Sequence, residues 1–140
     1  MHLLHKNEDD ALFEEWFITW VRTAFRAKGN KKAINPLLTW SETIAKSGRE
    51  TQKRFLEYCQ NFFRQALLIN YNTPELVYLQ PQTSGFDINK FAPFVHENNI
   101  LQINEALQDA MYHIERNGNP KIILSDLSIK LTRFLHTKSA

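Results

Sequence analysis

Few residues in this chain have the types and spacing that catalysis would need. The residue types of a hydrolase triad, Ser, His and Asp, all occur, but Ser125 and Asp126 fall inside a helical pattern, and the sequence has no Gly-x-Ser-x-Gly elbow. It also lacks a Gly-x-x-x-x-Gly-Lys-Ser/Thr phosphate loop and a Gly-x-Gly-x-x-Gly fingerprint. The sequence therefore predicts no catalytic residues, no nucleotide site and no small-molecule substrate.

The sequence also offers few residues for metal binding or thiol chemistry. Asp109 and His113 are four residues apart and could share one helix face, but the sequence supplies no recognisable further ligands, and the Glu-x-x-His pairs of di-metal bundles do not occur. We expect His113 to pair with Asp109 instead. The only cysteine, Cys59, excludes an intrachain disulfide and a multi-cysteine zinc site, and its aromatic neighbours predict a buried thiol. No metal and no cofactor are predicted.

A cluster of basic residues is the best candidate for nucleic-acid contact, because lysine and arginine neutralise phosphates. The end of a helix also recruits basic residues to balance its dipole, so a solvated helix end explains the same cluster. The cluster consists of Arg22, Arg26, Lys28, Lys31 and Lys32.

The elements that must position these residues are helices. Apolar residues recur at spacings of three and four along most of the chain, which is typical of amphipathic helices. The predicted helices span about 9–27, 36–46, 49–71, 87–95, 98–116 and 120–136. Asp87 should cap the fourth, with Phe86, Phe91 and Phe94 facing inward, and Pro93 should kink it or end it early. Residues 76–79 are predicted to form a packed loop. The fold class is all-α, a single bundle-like domain of five or six helices over residues 1–140.

The break between the last two helices has the clearest local pattern. Asn117 and Gly118 should stop the first of them, with glycine tolerating the left-handed conformation that helix ends often need. Asn119 should cap the next helix, with Pro120 at its first position. The pattern predicts two helices joined by a short turn.

Some apolar side chains lie outside the main stripes and are candidates for contact with another subunit. On the last helix, Ile122, Ile129 and Arg133 fall beside the leucine stripe, and Trp40 on the second helix has no determined place. An interior position in the bundle would explain wide apolar coverage equally well.

Length and composition bound the protein class. A chain of 140 residues, 43% hydrophobic, can bury one core without disulfides, and a net charge of +2 does not by itself imply nucleic-acid binding. No stretch reaches the apolar length of a membrane span, and the N-terminus lacks an export pattern. A cytoplasmic location is expected.

Four stretches occur together in an order that is similar to one known family. They are residues 9–17 (DDALFEEWF), 48–56 (GRETQKRFL), 90–95 (KFAPFV) and 112–135, which holds the Asn-Gly-Asn-Pro break. In these stretches the chain resembles the C-terminal collar domain of Bacteroidetes-type delta-prime subunits of the DNA polymerase III clamp loader. The resemblance implies that an ATPase-like N-terminal region of the family is missing, so the chain would be a fragment.

The resemblance also implies a function. In that family, five subunits associate mainly through helical collar domains, and the complex places the sliding clamp on primed DNA during replication. Delta-prime is regarded as non-hydrolysing and supplies an arginine from a Ser-Arg-Cys motif, which is absent here because Tyr58 precedes Cys59. Residues 114–135 would serve helix packing and subunit contact.

We therefore expect a non-catalytic oligomerisation domain. Its partners would be the other clamp-loader subunits, and DNA would be contacted only through the complex. The alternative is a small helical nucleic-acid-binding protein that uses the cluster from Arg22 to Lys32.

Overall fold

The computed structural model describes residues 8–26, 34–71 and 88–137, and these form six α-helices. Their bounds are α1 Glu8–Arg26, α2 Ile34–Ala45, α3 Arg49–Asn70, α4 Ile88–Phe91, α5 Ile100–Glu115 and α6 Pro120–Leu135. The all-α prediction is confirmed, and no strand occurs in these ranges. The inward prediction for Phe86, the predicted cap at Asp87 and the predicted loop over 76–79 lie outside the described residues.

The short helix α4 ends where Pro93 enters the chain. It passes directly into a 3₁₀ turn over Ala92–Phe94, closed by the bond from the Val95 N–H to the Ala92 carbonyl at 3.0 Å. Proline has no N–H to continue an α-helix, so the early end is confirmed. Phe91 faces the core as predicted, but the inward prediction for Phe94 is wrong: its ring is 43% exposed and lies over Phe25 at 4.6 Å.

The helices form one bundle, in which the apolar stripe of each helix is covered by the neighbouring helices. Helix α6 contacts α2 on one side and α5 on the other, α5 also contacts α3, and α1 packs against α2, α3 and α6. The wide stripe of α3 is thereby explained, because α1, α4 and α5 all lie against it. No described helix has the length and apolar character that crossing a membrane requires.

Aromatic rings fill the middle of the bundle. Trp20 is fully buried, stacks on Trp40 at 4.6 Å and donates its indole N–H to the Ser128 hydroxyl at 3.1 Å. Trp40 is 5% exposed and donates its own indole N–H to the Trp16 carbonyl at 2.9 Å. The prediction of Trp40 as a subunit-contact residue is therefore wrong, because its ring and its polar atom are both used within the bundle.

The turn between α5 and α6 forms where it is predicted, but a different residue adopts the left-handed conformation. Asn117 adopts the left-handed conformation with φ 65°, and Gly118 does not. Gly118 is needed for space instead: a Cβ there would lie 2.8 Å from the His113 carbonyl oxygen and 2.8 Å from Ile123 Cδ1. Because this turn is four residues long, α5 and α6 form an antiparallel helical hairpin.

The cap of α6 is confirmed. The Asn119 side chain accepts a hydrogen bond from the Ile122 N–H at 3.2 Å, and Pro120 occupies the first helical position. This cap sets where α6 begins, and therefore which of its residues face outward.

At the opposite end of the hairpin, side-chain hydrogen bonds link α6 to the segment that follows α4, and link that segment to α3. Asn99 donates to the carbonyls of Phe94 at 2.8 Å and Phe134 at 3.0 Å, and Asn70 donates to the Val95 carbonyl at 3.1 Å. The His96 ring is within 3.0 Å of the Thr137 carbonyl. Both ends of the hairpin are thus held in place, so its outward side is a fixed surface.

Candidate protein-interaction surface

The outward side of the α5–α6 hairpin carries most of the large exposed apolar side chains in the described ranges. Leu101 is 74% exposed, Ile122 66%, Tyr112 51% and Ile129 45%. We call this surface the hairpin face, and define it by Leu101, Glu105 and Tyr112 of α5 together with Ile122, Asp126, Ile129 and Arg133 of α6.

Helical geometry explains why these residues share one side. Leu124, Leu131 and Leu135 of α6 point into the core, and at about 100° per residue Ile122 and Ile129 fall roughly opposite to them. Seven residues are close to two turns, so the two isoleucines line up along the helix, separated by about 10 Å.

The same rule places the remaining members. Arg133 comes four residues after Ile129 and lies on the same line. On α5, Leu101 and Tyr112 fall opposite to Ile103, Leu107 and Ile114, which are buried. The predicted set of Ile122, Ile129 and Arg133 is brought together, while Trp40 is in the core.

A shallow groove of about 280 Å³ runs between the two helices beside Ile122. Asp109 and His113 line it from α5, and Asp126 and Lys130 line it from α6. Lys130 pairs with Asp126 at 2.9 Å within α6. The predicted pair of Asp109 with His113 does not form in the described structure; the exposed His113 ring instead lies 5.4 Å from Tyr112. Asp109, His113 and Asp126 are exposed to solvent, and Lys130 is partly exposed.

Charge is divided between the two helices of the hairpin face. Exposed Glu105 and Asp109 make the middle of α5 acidic on its outer side, and Arg116, which lies 4.7 Å over the Tyr112 ring, adds a positive charge next to the turn. Arg133 and the Lys130–Asp126 pair leave α6 with one net positive charge on its outer side. Neither Glu105 nor Arg133 enters an ion pair within the described residues. Both remain available to a partner.

The other grooves offer less chemistry. A groove of about 500 Å³ between α1 and α2 is lined by threonines and by Trp16 and Trp40. The hydroxyls of Thr23, Thr39 and Thr43 bond to carbonyls of their own helices, so this groove presents mainly methyl groups and ring edges. Within the described ranges, no group of three or more histidine, cysteine or acidic residues could hold a metal ion.

Cys59 is confirmed as a buried thiol. Its side chain has no exposed surface, and burial raises the pKa of the thiol well above its ordinary value. A thiol that keeps its proton is a poor nucleophile, so the geometry offers no route to cysteine catalysis.

The basic cluster is described only in part. Arg22 and Arg26 are exposed on α1, while Lys28, Lys31 and Lys32 lie outside the described residues. The two arginines are four residues apart and share a side of the helix.

Sequence reasoning missed Leu101, Tyr112 and Glu105 as surface residues. The pattern did contain them, because Leu101 falls outside the row of Ile103, Leu107 and Ile114 by about half a turn of the helix. Comparison of the chain with protein-family models, with curated proteins and with solved structures yielded no match.

Proposed function

We propose that this protein is a non-catalytic association module that binds other proteins through the hairpin face. The observation that carries the proposal is the exposure of Ile122 and Ile129 on one line of α6, beside Leu101 and Tyr112 of α5. Single exposed apolar residues are ordinary on protein surfaces, whereas several on one rigid side are typical of a contact surface.

The rest of the described structure favours binding over catalysis. The titratable groups that line the hairpin groove are solvated, and Cys59 is inaccessible. Aromatic and aliphatic anchors surrounded by charged residues are the usual composition of a protein-protein interface.

The resemblance of residues 9–17, 48–56, 90–95 and 112–135 to delta-prime subunits supplies a specific assembly to test. On that basis the partners are the other subunits of the DNA polymerase III clamp loader, in a collar that supports the loading of the sliding clamp in the cytoplasm. This assignment rests on the sequence resemblance alone, whose fourth stretch contains Tyr112 and the α6 residues of the hairpin face but not Leu101 or Glu105.

The experiment is to mix the chain with purified clamp-loader subunits and measure molar mass by light scattering after size exclusion. The wild type should enter a complex, and Ile122→Ser with Ile129→Ser should weaken its entry. Leu12→Ser is a matched control, because Leu12 is a 36% exposed apolar residue on α1. Failure of the wild type to associate with competent partners would refute the clamp-loader assignment.

A nucleic-acid function is tested with the same protein. Binding of duplex or single-stranded DNA that falls steeply with salt, and that is lost on Lys31→Ala with Lys32→Ala, would favour the basic cluster over the hairpin face.

A further inference from the structure

We infer that the hairpin face also binds a second copy of this chain, giving a two-fold dimer in which α5 of each protomer lies on α6 of the other. The inference rests on the proposed function in one respect, because it uses the same face. It goes further because the charges on that face identify the partner as a second copy of this chain.

The charge pattern is self-complementary. Away from Arg116 at the turn, the outer side of α5 is acidic through Glu105 and Asp109, and the outer side of α6 ends in Arg133. In an antiparallel hairpin, a two-fold axis parallel to the helices places α5 of one protomer over α6 of its partner, so the acidic side meets the basic one. A two-fold placement of α5 on α5 would instead oppose like charges.

The apolar residues fit the same arrangement. Tyr112 and Ile122 lie near the turn of the hairpin, and Leu101 lies near its open end, as Arg133 does. In the two-fold arrangement, Tyr112 of one protomer reaches the level of Ile122 in its partner. Leu101 reaches the level of Arg133, one helical turn beyond Ile129, and would lie beside the aliphatic part of that side chain. The apolar contact of Tyr112 with Ile122 forms twice in the symmetric dimer.

Glu105 is the residue that fixes the register. It lies one helical turn from Leu101, at a level between Ile129 and Arg133 of the opposing α6. Glu105 and Arg133 form no ion pair within the described residues of one protomer. Across the two-fold axis each would gain a partner of opposite charge at the edge of an apolar contact.

The test is a charge swap in the full chain, followed by sedimentation velocity from low micromolar to millimolar concentration. Glu105→Arg alone and Arg133→Glu alone should each weaken dimerisation by about tenfold or more, because like charges then face each other. The double variant carries both changes in every protomer, so opposite charges again face each other across the two-fold axis. Dimerisation should therefore be restored. Arg26→Glu on α1 is the control for a change of net charge.

Apolar contact is tested by Ile122→Ser, which should weaken the dimer by at least about tenfold, with Leu12→Ser as its control. A wild-type chain that stays monomeric throughout the concentration range overturns the inference. A dimer that survives Ile122→Ser, or that the double charge variant does not restore, also overturns it. The circular dichroism of each variant at 222 nm establishes that it is folded.

These outcomes are separate from those of the proposed function. A monomer that still joins the clamp-loader subunits through Ile122 and Ile129 refutes only the self-association. A dimer that joins no other subunit refutes only the clamp-loader assignment.

Discussion

Replacing Ser128 with alanine should destabilise the protein by removing the only acceptor that the structure gives the Trp20 indole. Both side chains are fully buried, and the bond from Trp20 Nε1 to Ser128 Oγ is 3.1 Å long. This contact joins α1 to α6, which are distant in sequence. The substitution therefore tests the packing that holds the hairpin in the bundle.

The magnitude follows from what each partner loses. A buried N–H left without an acceptor costs about 1–3 kcal/mol. The hydroxyl of Ser128 also bonds to the Leu124 carbonyl at 2.8 Å, but that carbonyl keeps its backbone partner in α6 when the hydroxyl is removed. Alanine favours the helix over serine by a few tenths of a kcal/mol. The expected net loss is about 1–2.5 kcal/mol.

The assay is urea unfolding followed by circular dichroism, with Ser125→Ala as the matched control. Ser125 lies on the same helix and is half-buried, so its replacement should change the free energy of unfolding by less than about 0.5 kcal/mol. In a Trp20→Phe background, Ser128→Ala should cost little, because no N–H is left without an acceptor. Equal effects of Ser128→Ala in both backgrounds would show that the loss of stability does not come from the unpaired Trp20 N–H.

Three further predictions concern single residues. Gly118→Ala should destabilise the protein by about 1–3 kcal/mol because the new Cβ meets the His113 carbonyl, and an unchanged urea midpoint would contradict this. Asn119→Ala should cost about 1 kcal/mol through loss of the α6 cap, whereas Asn119→Ser should retain most of it in the same unfolding assay. Burial raises the pKa of the Cys59 thiol, so above about pH 8.5 the unfolded chain releases a proton that the folded protein keeps. The free energy of unfolding should therefore fall by up to about 1.4 kcal/mol per pH unit from this group, and Cys59→Ala should have a correspondingly shallower alkaline slope. Identical slopes, or rapid labelling of native Cys59 by a thiol reagent, would count against it.

Local rules account for most of what the sequence predicted correctly. The helix bounds, the cap at Asn119 with Pro120 and the early end of α4 at Pro93 depend on residues a few positions apart. Such effects are encoded in short spacings and therefore appear in the sequence directly.

The incorrect predictions depend on contacts between distant residues. The sequence makes Trp40 a candidate for subunit contact because nothing near it in sequence indicates that Trp20 stacks on its ring. Gly118 was assigned a left-handed conformation, yet its role depends on the approach of Ile123 and the His113 carbonyl. Which stripe of a helix remains uncovered is also decided by its neighbours, so periodicity alone indicated only that Ile122 and Ile129 were candidates.

Photocrosslinking tests directly whether the hairpin face is the surface through which this protein binds its partners. A photoreactive amino acid is placed at Ile122 in one variant and at Thr43, an exposed position on α2, in another. Each is irradiated alone and with purified clamp-loader subunits, and the products are identified by mass. If the hairpin face is the contact surface, crosslinks to a second copy or to a subunit form from position 122 and none form from position 43. Crosslinks from position 43 with none from position 122 would contradict it.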